Sequence, residues 1–294
     1  MHQYLDNIFK NSKAEKVINY AFNFNYNNCK LYRNYCNSIN KENINNHKLT
    51  DIPFLPIEFF KNHKIKTDRG KTSRVFFSSG TTGKKSKHYV QDLKVYDQSL
   101  LYSFKYAFGD PQNFHFLGIT PDPSERKNSS LIYMIDKLQK FSKNEGFFSA
   151  NFQSFKLNIE KYKNSNKKII IYGLSHLLLD FVENEKFNLK DFIIIETGGM
   201  KGNREEIEKR KLHEILSDGF GTDKVYSEYG MTELLSQSYS LKNELFVPPP
   251  WKRILIRDFN DPFKIKKSGS DLNICLLYKS PSPRDLSTAR MPSS

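Results

Sequence analysis

Two short runs, "KKIIIYG" (Lys167 to Gly173) and "DFIIIETGG" (Asp191 to Gly199), each hold three consecutive isoleucines and close on glycine. Neither alternates apolar with polar, so neither is a strand with one wet face. Continuous apolar runs of this length are strands covered on both sides, and such strands belong to parallel sheets with helices on each face. Between them lies "LSHLLLDFVENEKF", which reads as a helix, so the segment is a strand–helix–strand unit. The pattern repeats on either side. "SRVFFSS" and "FHFLGIT" are strand-like, and Asp92 to Phe108 carries Leu101, Phe104 and Phe108 along one helical stripe. "SSLIYMIDKLQKF" is helical, as is "REEIEKRKLHEILSDG", with Gly219 expected as its stop. "KVYSEYG" then reads as strand and "MTELLSQSY" as helix. The expectation is an α/β domain with a largely parallel sheet flanked by helices.

The remaining chain divides around that body. Residues 1–50 form an amino-terminal segment of the same domain, helical and rich in Asn and Tyr from Gln3 to Ile39. Residues 51–274 are the main domain, entered through "DIPFLPIEFFKNHKI", whose Pro53 and Pro56 exclude a regular helix across it. Residues 275–294 lose the Asn/Phe/Ile bias for Ser, Pro and Arg, and are read as a tail that is non-native or disordered. Lys and Arg exceed Asp and Glu by 46 to 32, a formal charge of +14. With no aromatic-interleaved basic motif, that excess is a solvated lysine-rich surface and names no nucleic acid. No apolar run reaches the ~18 residues of a membrane span, and no charged-then-apolar leader opens the chain. Cys29, Cys36 and Cys275 have neither metal nor disulfide spacing, which fits a reducing, cytoplasmic setting. Cys29 and Cys36, seven apart, are read as one packed helical face.

One stretch stands apart: "FFSSGTTGKKSKHYV", Phe76 to Val90. Gly80 and Gly83 let backbone N–H groups converge on an anion. Ser78, Ser79, Thr81 and Thr82 add hydroxyls, and Lys84, Lys85 and Lys87 add charge. It is not a Walker loop, which needs Gly where Ser78 stands and Ser or Thr where Lys85 stands. On these residues alone a phosphate nest and a hydroxyl-rich surface turn are equally good readings.

Companion motifs separate the two. "SSGTTGKKSK" resembles the phosphate loop of the adenylate-forming superfamily, which carries further on a Gly-Gly adenine loop and a Tyr-Gly-x-Thr-Glu box. Here "ETGGMKGNR" supplies Gly198 and Gly199, and "SEYGMTELLSQSY" supplies Tyr229, Gly230, Met231, Thr232 and Glu233. With "DIPFLPIEFFKNH", "KHYVQD" and "PPPWKRILIRD", the chain from about Pro53 to Asn273 resembles acyl-protein synthetases of the LuxE type, long-chain-fatty-acid–protein ligases. The resemblance implies the large α/β domain of adenylate-forming enzymes. It also implies ATP and Mg²⁺ as cofactors, a fatty acid or other carboxylic acid as substrate, and an acyl reductase as partner. Ser78 to Lys87 would wrap the β- and γ-phosphates through Thr81, Thr82 and Lys87. Glu233 would hold Mg²⁺, Thr232 would donate to the α-phosphate, and Gly199 and Tyr229 would bracket adenine. Lys87, Thr232 and Glu233 are thus the catalytic candidates. The duller alternatives are a core role for Tyr229 and an exposed first-turn helix acid for Glu233.

The chain also departs from the superfamily pattern. The acid that holds the ribose, the small carboxyl-terminal domain and the acyl-accepting cysteine find no match before Asn273, and Cys275 is not given that last role. A coenzyme A ligase for an aryl or other acid, and a non-catalytic ATP-binding subunit, are the rival readings. His176 is read as a core histidine; His88, which follows Lys87, is a candidate to stand behind the site's contact residues and is assigned no definite role.

Overall fold

The computed structural model describes residues 14–41, 48–68, 70–79, 83–148, 151–200, 202–242, 245–258, 261, 263–266 and 273–275. Gly80, Thr81, Thr82 and residues 276–294 of the tail therefore lie outside the described residues.

The isoleucine runs become adjacent parallel strands, β5 (Lys168–Leu174) and β6 (Ile193–Thr197). They are central to a seven-stranded sheet of order β4-β3-β5-β6-β7-β8-β9. In it β3 (Phe114–Ile119), β4 (Phe147–Phe148) and β7 (Val225–Tyr229) are also parallel, whereas β8 (Ser238–Lys242) and β9 (Leu245–Val247) return antiparallel. Successive residues of each strand enter opposite cores. Leu117, Ile169, Ile171 and Ile194 pack with helices α6 (Phe152–Lys163), α7 (Ser175–Asn184) and α8 (Lys209–Phe220). Phe116, Ile170, Ile193 and Ile195 pack with α4 (Leu93–Phe108) and α5 (Ser130–Ser142). Each fully buried Ile, Leu or Phe contributes about 1.5–3 kcal/mol, so the parallel strands, buried on both faces, anchor the molecule. Asp92 and Ser129 cap α4 and α5 by accepting from the Lys94 and Ile132 amides.

Two smaller sheets accompany the large one. β1 (Arg74–Phe77) and β2 (Lys87–Val90) form an antiparallel hairpin whose connection is the glycine–hydroxyl loop. β10 (Leu255–Arg257) lies between β11 (Ile265–Lys266) and β12 (Asn273–Cys275). The amino-terminal helices α1 (Ala14–Asn28) and α2 (Lys30–Ser38) join Ile52 and Leu55 in a separate small core, with the short α3 (Glu58–Asn62) following Pro56. Cys29 and Cys36 are both buried there, but the helix breaks at Cys29, whose backbone is extended.

Three expectations need correction. The segment after β7 is not a helix: Met231 to Gln237 is a turn, and the chain returns as β8, pairing Glu228 with Tyr239. Pairing satisfies the open edge of β7, which a helix would have left bare. Gly219 does not stop α8. The helix runs to Phe220 and ends on Gly221 in the left-handed region (φ 68°), while Gly219 lies flush against Val182 of α7. Finally, α8 starts at Lys209, because Arg204 is drawn to Asp180 and Glu183 of α7.

Candidate active site

The turn after β7 meets the base of the β1–β2 hairpin, and β6 ends beside β7. Phe77, the last residue of β1, opens the glycine–hydroxyl loop, which is closed at its base by Ser78: its amide donates to the Ser86 carbonyl (3.1 Å) and its Oγ accepts from the Ser86 amide (2.9 Å). Gly83 is left-handed (φ 78°), a turn that favours glycine. Ser79, Lys84, Lys85 and Lys87 are exposed, as groups that meet a soluble anion must be. Lys87 pairs with Phe77 across the hairpin and holds its Nζ 5.9 Å from the Phe77 ring centre.

Thr232 touches the base of this hairpin. Its Oγ1 lies 3.5 Å from the Phe77 carbonyl and 3.5 Å from Ser130 Oγ, and its own carbonyl is 2.8 Å from His88 Nδ1. The structure therefore brings Thr232, distant in sequence, to the hairpin that carries Ser78 and Lys87. Glu233 follows in the turn. It is 9% exposed, with no ion pair or hydrogen bond to its carboxylate among the described residues. The exposed helix-acid alternative is thereby removed on both counts. Gly198 and Gly199 follow β6 with φ of 77° and 58°, two successive left-handed residues in a conformation that favours glycine. Tyr229 is half-buried at the end of β7, its ring edge-on to Phe246 at 5.8 Å and 5.4 Å from Lys252 Nζ. It belongs to neither sheet core. A Cβ at Gly230 would displace the end of the Glu228 side chain, whose Oε1 lies against the bare backbone there. Met231 is half-buried, its sulfur 3.8 Å from the Tyr229 hydroxyl.

Two sets of residues received no definite role from sequence reasoning. The first is His88, Ser130 and Lys252. Burial lowers the His88 pKa, against the opposing effect of the Thr232 carbonyl, and so favours the uncharged ring. Burial also pulls Lys252 down to about 8, against the pull of Glu228. The second is an ion cluster under the Gly-Gly loop. Glu196, wholly buried, accepts from Ser175 Oγ (2.6 Å), Ser227 Oγ (2.5 Å) and Lys209 Nζ (2.5 Å), with His213 Nε2 at 3.5 Å. Burial pushes its carboxyl up, but Lys209, His213 and Ser175 together outweigh that and hold it at about 2. Ser175 also donates to the Thr197 carbonyl at 3.0 Å, so the cluster fixes the strand end from which Gly198 springs. The one signal in sequence was the polar "ET" closing an otherwise apolar strand.

For a divalent cation, no group of three or more His, Cys, Asp or Glu is arranged as a cage among the described residues. A buried carboxylate without an ion pair suits the way Mg²⁺ is commonly held, by one or two carboxylates, substrate phosphates and water. Glu233 fits that pattern. Among the described residues no helix is long and apolar enough to cross a membrane.

The described residues thus form an α/β fold, a mostly parallel sheet with helices on both faces and a separate hairpin whose base meets the turn after β7. The chain belongs to the acyl-protein synthetase (LuxE) family, whose model matches residues 7–285, and is thereby a ligase. It is 26% identical over 257 residues to the long-chain-fatty-acid–luciferin-component ligase of Aliivibrio fischeri, covering 81% of this chain and 67% of that protein. Among solved structures it is similar to the O-succinylbenzoate coenzyme A synthetase MenE of Bacillus subtilis in complex with AMP (TM-score 0.45, 15% identity, 69% of this chain). It is also similar to apo MbtA of Mycobacterium smegmatis (TM-score 0.42, 13% identity, 62% of this chain). The chain spans 40% and 32% of the length of those two proteins.

Proposed function

We propose that this chain activates a long-chain fatty acid with ATP and passes the acyl group to a protein cysteine thiol, in the service of an acyl reductase. Family membership supports the ligase chemistry, and the Aliivibrio relative's name supports the acid. The observation that carries the reading is the seating of Thr232 against the hairpin base, 3.5 Å from the Phe77 carbonyl. It gives the glycine–hydroxyl loop and the Thr-Glu turn one common ligand to act on.

Activation is a charge problem. A carboxylate oxygen must attack the α-phosphorus of ATP while both are anionic. At ~4 Å two such charges repel by about 1 kcal/mol in water and about 4 kcal/mol at an effective dielectric near 20. In the proposed arrangement Gly80, Thr81, Thr82 and Lys87 hold the β- and γ-phosphates with Ser78, Ser79 and Gly83. Thr232 Oγ1 donates to the α-phosphate oxygens as charge gathers there. Gly198, Gly199 and Tyr229 bracket the adenine, Gly230 and Met231 shape the turn beneath it, and Glu233 holds Mg²⁺, which neutralises phosphate charge when bound. The acid oxygen–phosphorus bond forms, the bond from the α-phosphorus to the bridging oxygen breaks, and pyrophosphate leaves with that oxygen. The thiolate sulfur then attacks the acyl carbon and AMP departs.

The test is pyrophosphate release with Mg·ATP across saturated acids of graded length. Release should rise steeply for long chains, and Glu233→Gln should lower it by ~100-fold, with less than about 1 kcal/mol lost in stability because no ion pair is broken. Equal release with and without acid would overturn the reading, and full Mg²⁺-dependent activity in Glu233→Gln would move the metal elsewhere.

A further inference from the structure

Among the described residues the β1–β2 hairpin forms a sheet of its own, with no strand pairing to the seven-stranded sheet. Its loop is therefore only as well aimed as its side attachments. β1 has three. Phe76 is wholly buried in the α4–α5 core, the Phe77 amide donates to the Asn128 carbonyl (2.9 Å), and Arg74 Nη2 donates to the Lys127 carbonyl (2.6 Å). β2, the strand that carries Lys87, enters the same core through Val90 and has a second tie. Alternation along β2 turns His88 away from the face of Lys87. There His88 Nδ1 meets the Thr232 carbonyl at 2.8 Å, and the buried Phe60 of α3 stands edge-on to the imidazole at 5.6 Å.

That contact has a definite chemistry. A carbonyl oxygen only accepts, so Nδ1 must carry the proton. The carbonyl concerned is half of the peptide that joins Thr232 to Glu233. Fixing it sets the plane of that peptide, and with it the directions in which the Thr232 hydroxyl and the Glu233 carboxylate leave the turn. We infer that His88 is a positioning residue whose Nδ1–H holds the Thr232–Glu233 peptide against the phosphate-loop hairpin, so that loop and turn address the same nucleotide. The inference rests on the function proposed above. It adds that the two motifs are joined by a direct bond and do not merely lie side by side.

Asparagine and glutamine separate this role from simple packing. The Asn side-chain amide nitrogen sits about where Nδ1 does, and the Gln nitrogen about where Nε2 does. In the full chain, His88→Asn should keep kcat for pyrophosphate release within about threefold, whereas His88→Gln should lose ~10-fold or more in kcat with KM for the acid little changed. Two further readouts do not need turnover. Nitrogen NMR of histidine-labelled protein should find His88 neutral with its proton on Nδ1. Amide exchange across residues 230–237 should quicken ~10-fold in His88→Gln but not in His88→Asn. A proton on Nε2, or Asn and Gln variants alike in both rate and exchange, would overturn the inference. If the unaltered chain releases no pyrophosphate with any acid, the proposed function fails instead, and the tautomer and exchange results still decide the clamp.

Discussion

Glu196 has no exposed surface, yet it carries a charge held by Lys209, His213, Ser175 and Ser227. Its folded pKa of about 2 lies below the ordinary 4.5. A group depressed on folding stabilises at pH values above its unfolded pKa, and loses that contribution as pH falls through the folded one. The contribution is about 3 kcal/mol, complete above pH 4.5 and gone near pH 2. Glu196→Gln removes it and leaves Lys209 uncompensated, so denaturant melts at pH 7 should show a loss of about 3–5 kcal/mol. Between pH 4.5 and 2 the variant should converge on the parent protein; an equal gap at both ends would mean that the charge does not matter. Residues of this kind mark the limit of what the sequence discloses. Thr232 and Glu233 were singled out because they belong to a short contiguous motif. His88 was left without a definite role, because its partner is a backbone carbonyl 144 residues away, and any residue can supply a carbonyl.

At the scale of elements, the contact between α7 and α8 turns on Gly219. A Cβ built there would strike Val182 Cβ and Cγ1, so the two helices meet at the van der Waals limit of a bare backbone. Gly219→Ala gains helix propensity of up to ~1 kcal/mol but forces the helices apart, at a cost of about 1–3 kcal/mol or more. The net effect should be a lower melting temperature; a higher one would mean that the helices separate freely. The same glycine explains a misreading, since a glycine near a helix end looks like a stop, and only the packing partner distinguishes it from the true cap at Gly221. Elements whose own residues dictate their surroundings were legible: β5 and β6 declare burial on both faces through their isoleucines. β8 was not. Leu234 and Leu235 imitate a helix, and the feature that overrides them is the unpaired edge of β7, a demand set by another part of the chain.

At the scale of the molecule, the two flanking cores give the large sheet a stability independent of any ligand, whereas the hairpin is a separate two-stranded sheet. Ligand binding should therefore be felt unevenly. ATP that binds the folded chain alone stabilises it by RT ln(1 + [L]/Kd), about 2.7 kcal/mol at a hundredfold excess over Kd. The global melting temperature should rise by that linkage. Local protection should rise most where the loop and turn close on the nucleotide, at residues 74–90, 197–200 and 229–237, because these segments start from few anchoring contacts. β3, β5 and the isoleucine run of β6 begin near the global limit and should gain only the linked increment. The measurement is hydrogen exchange with and without Mg·ATP, read segment by segment beside the thermal shift. Protection confined to the hairpin would separate the Thr-Glu turn from the nucleotide. A uniform gain over all segments would mean that the hairpin is already as rigid as the sheet, leaving nothing for the ligand to organise.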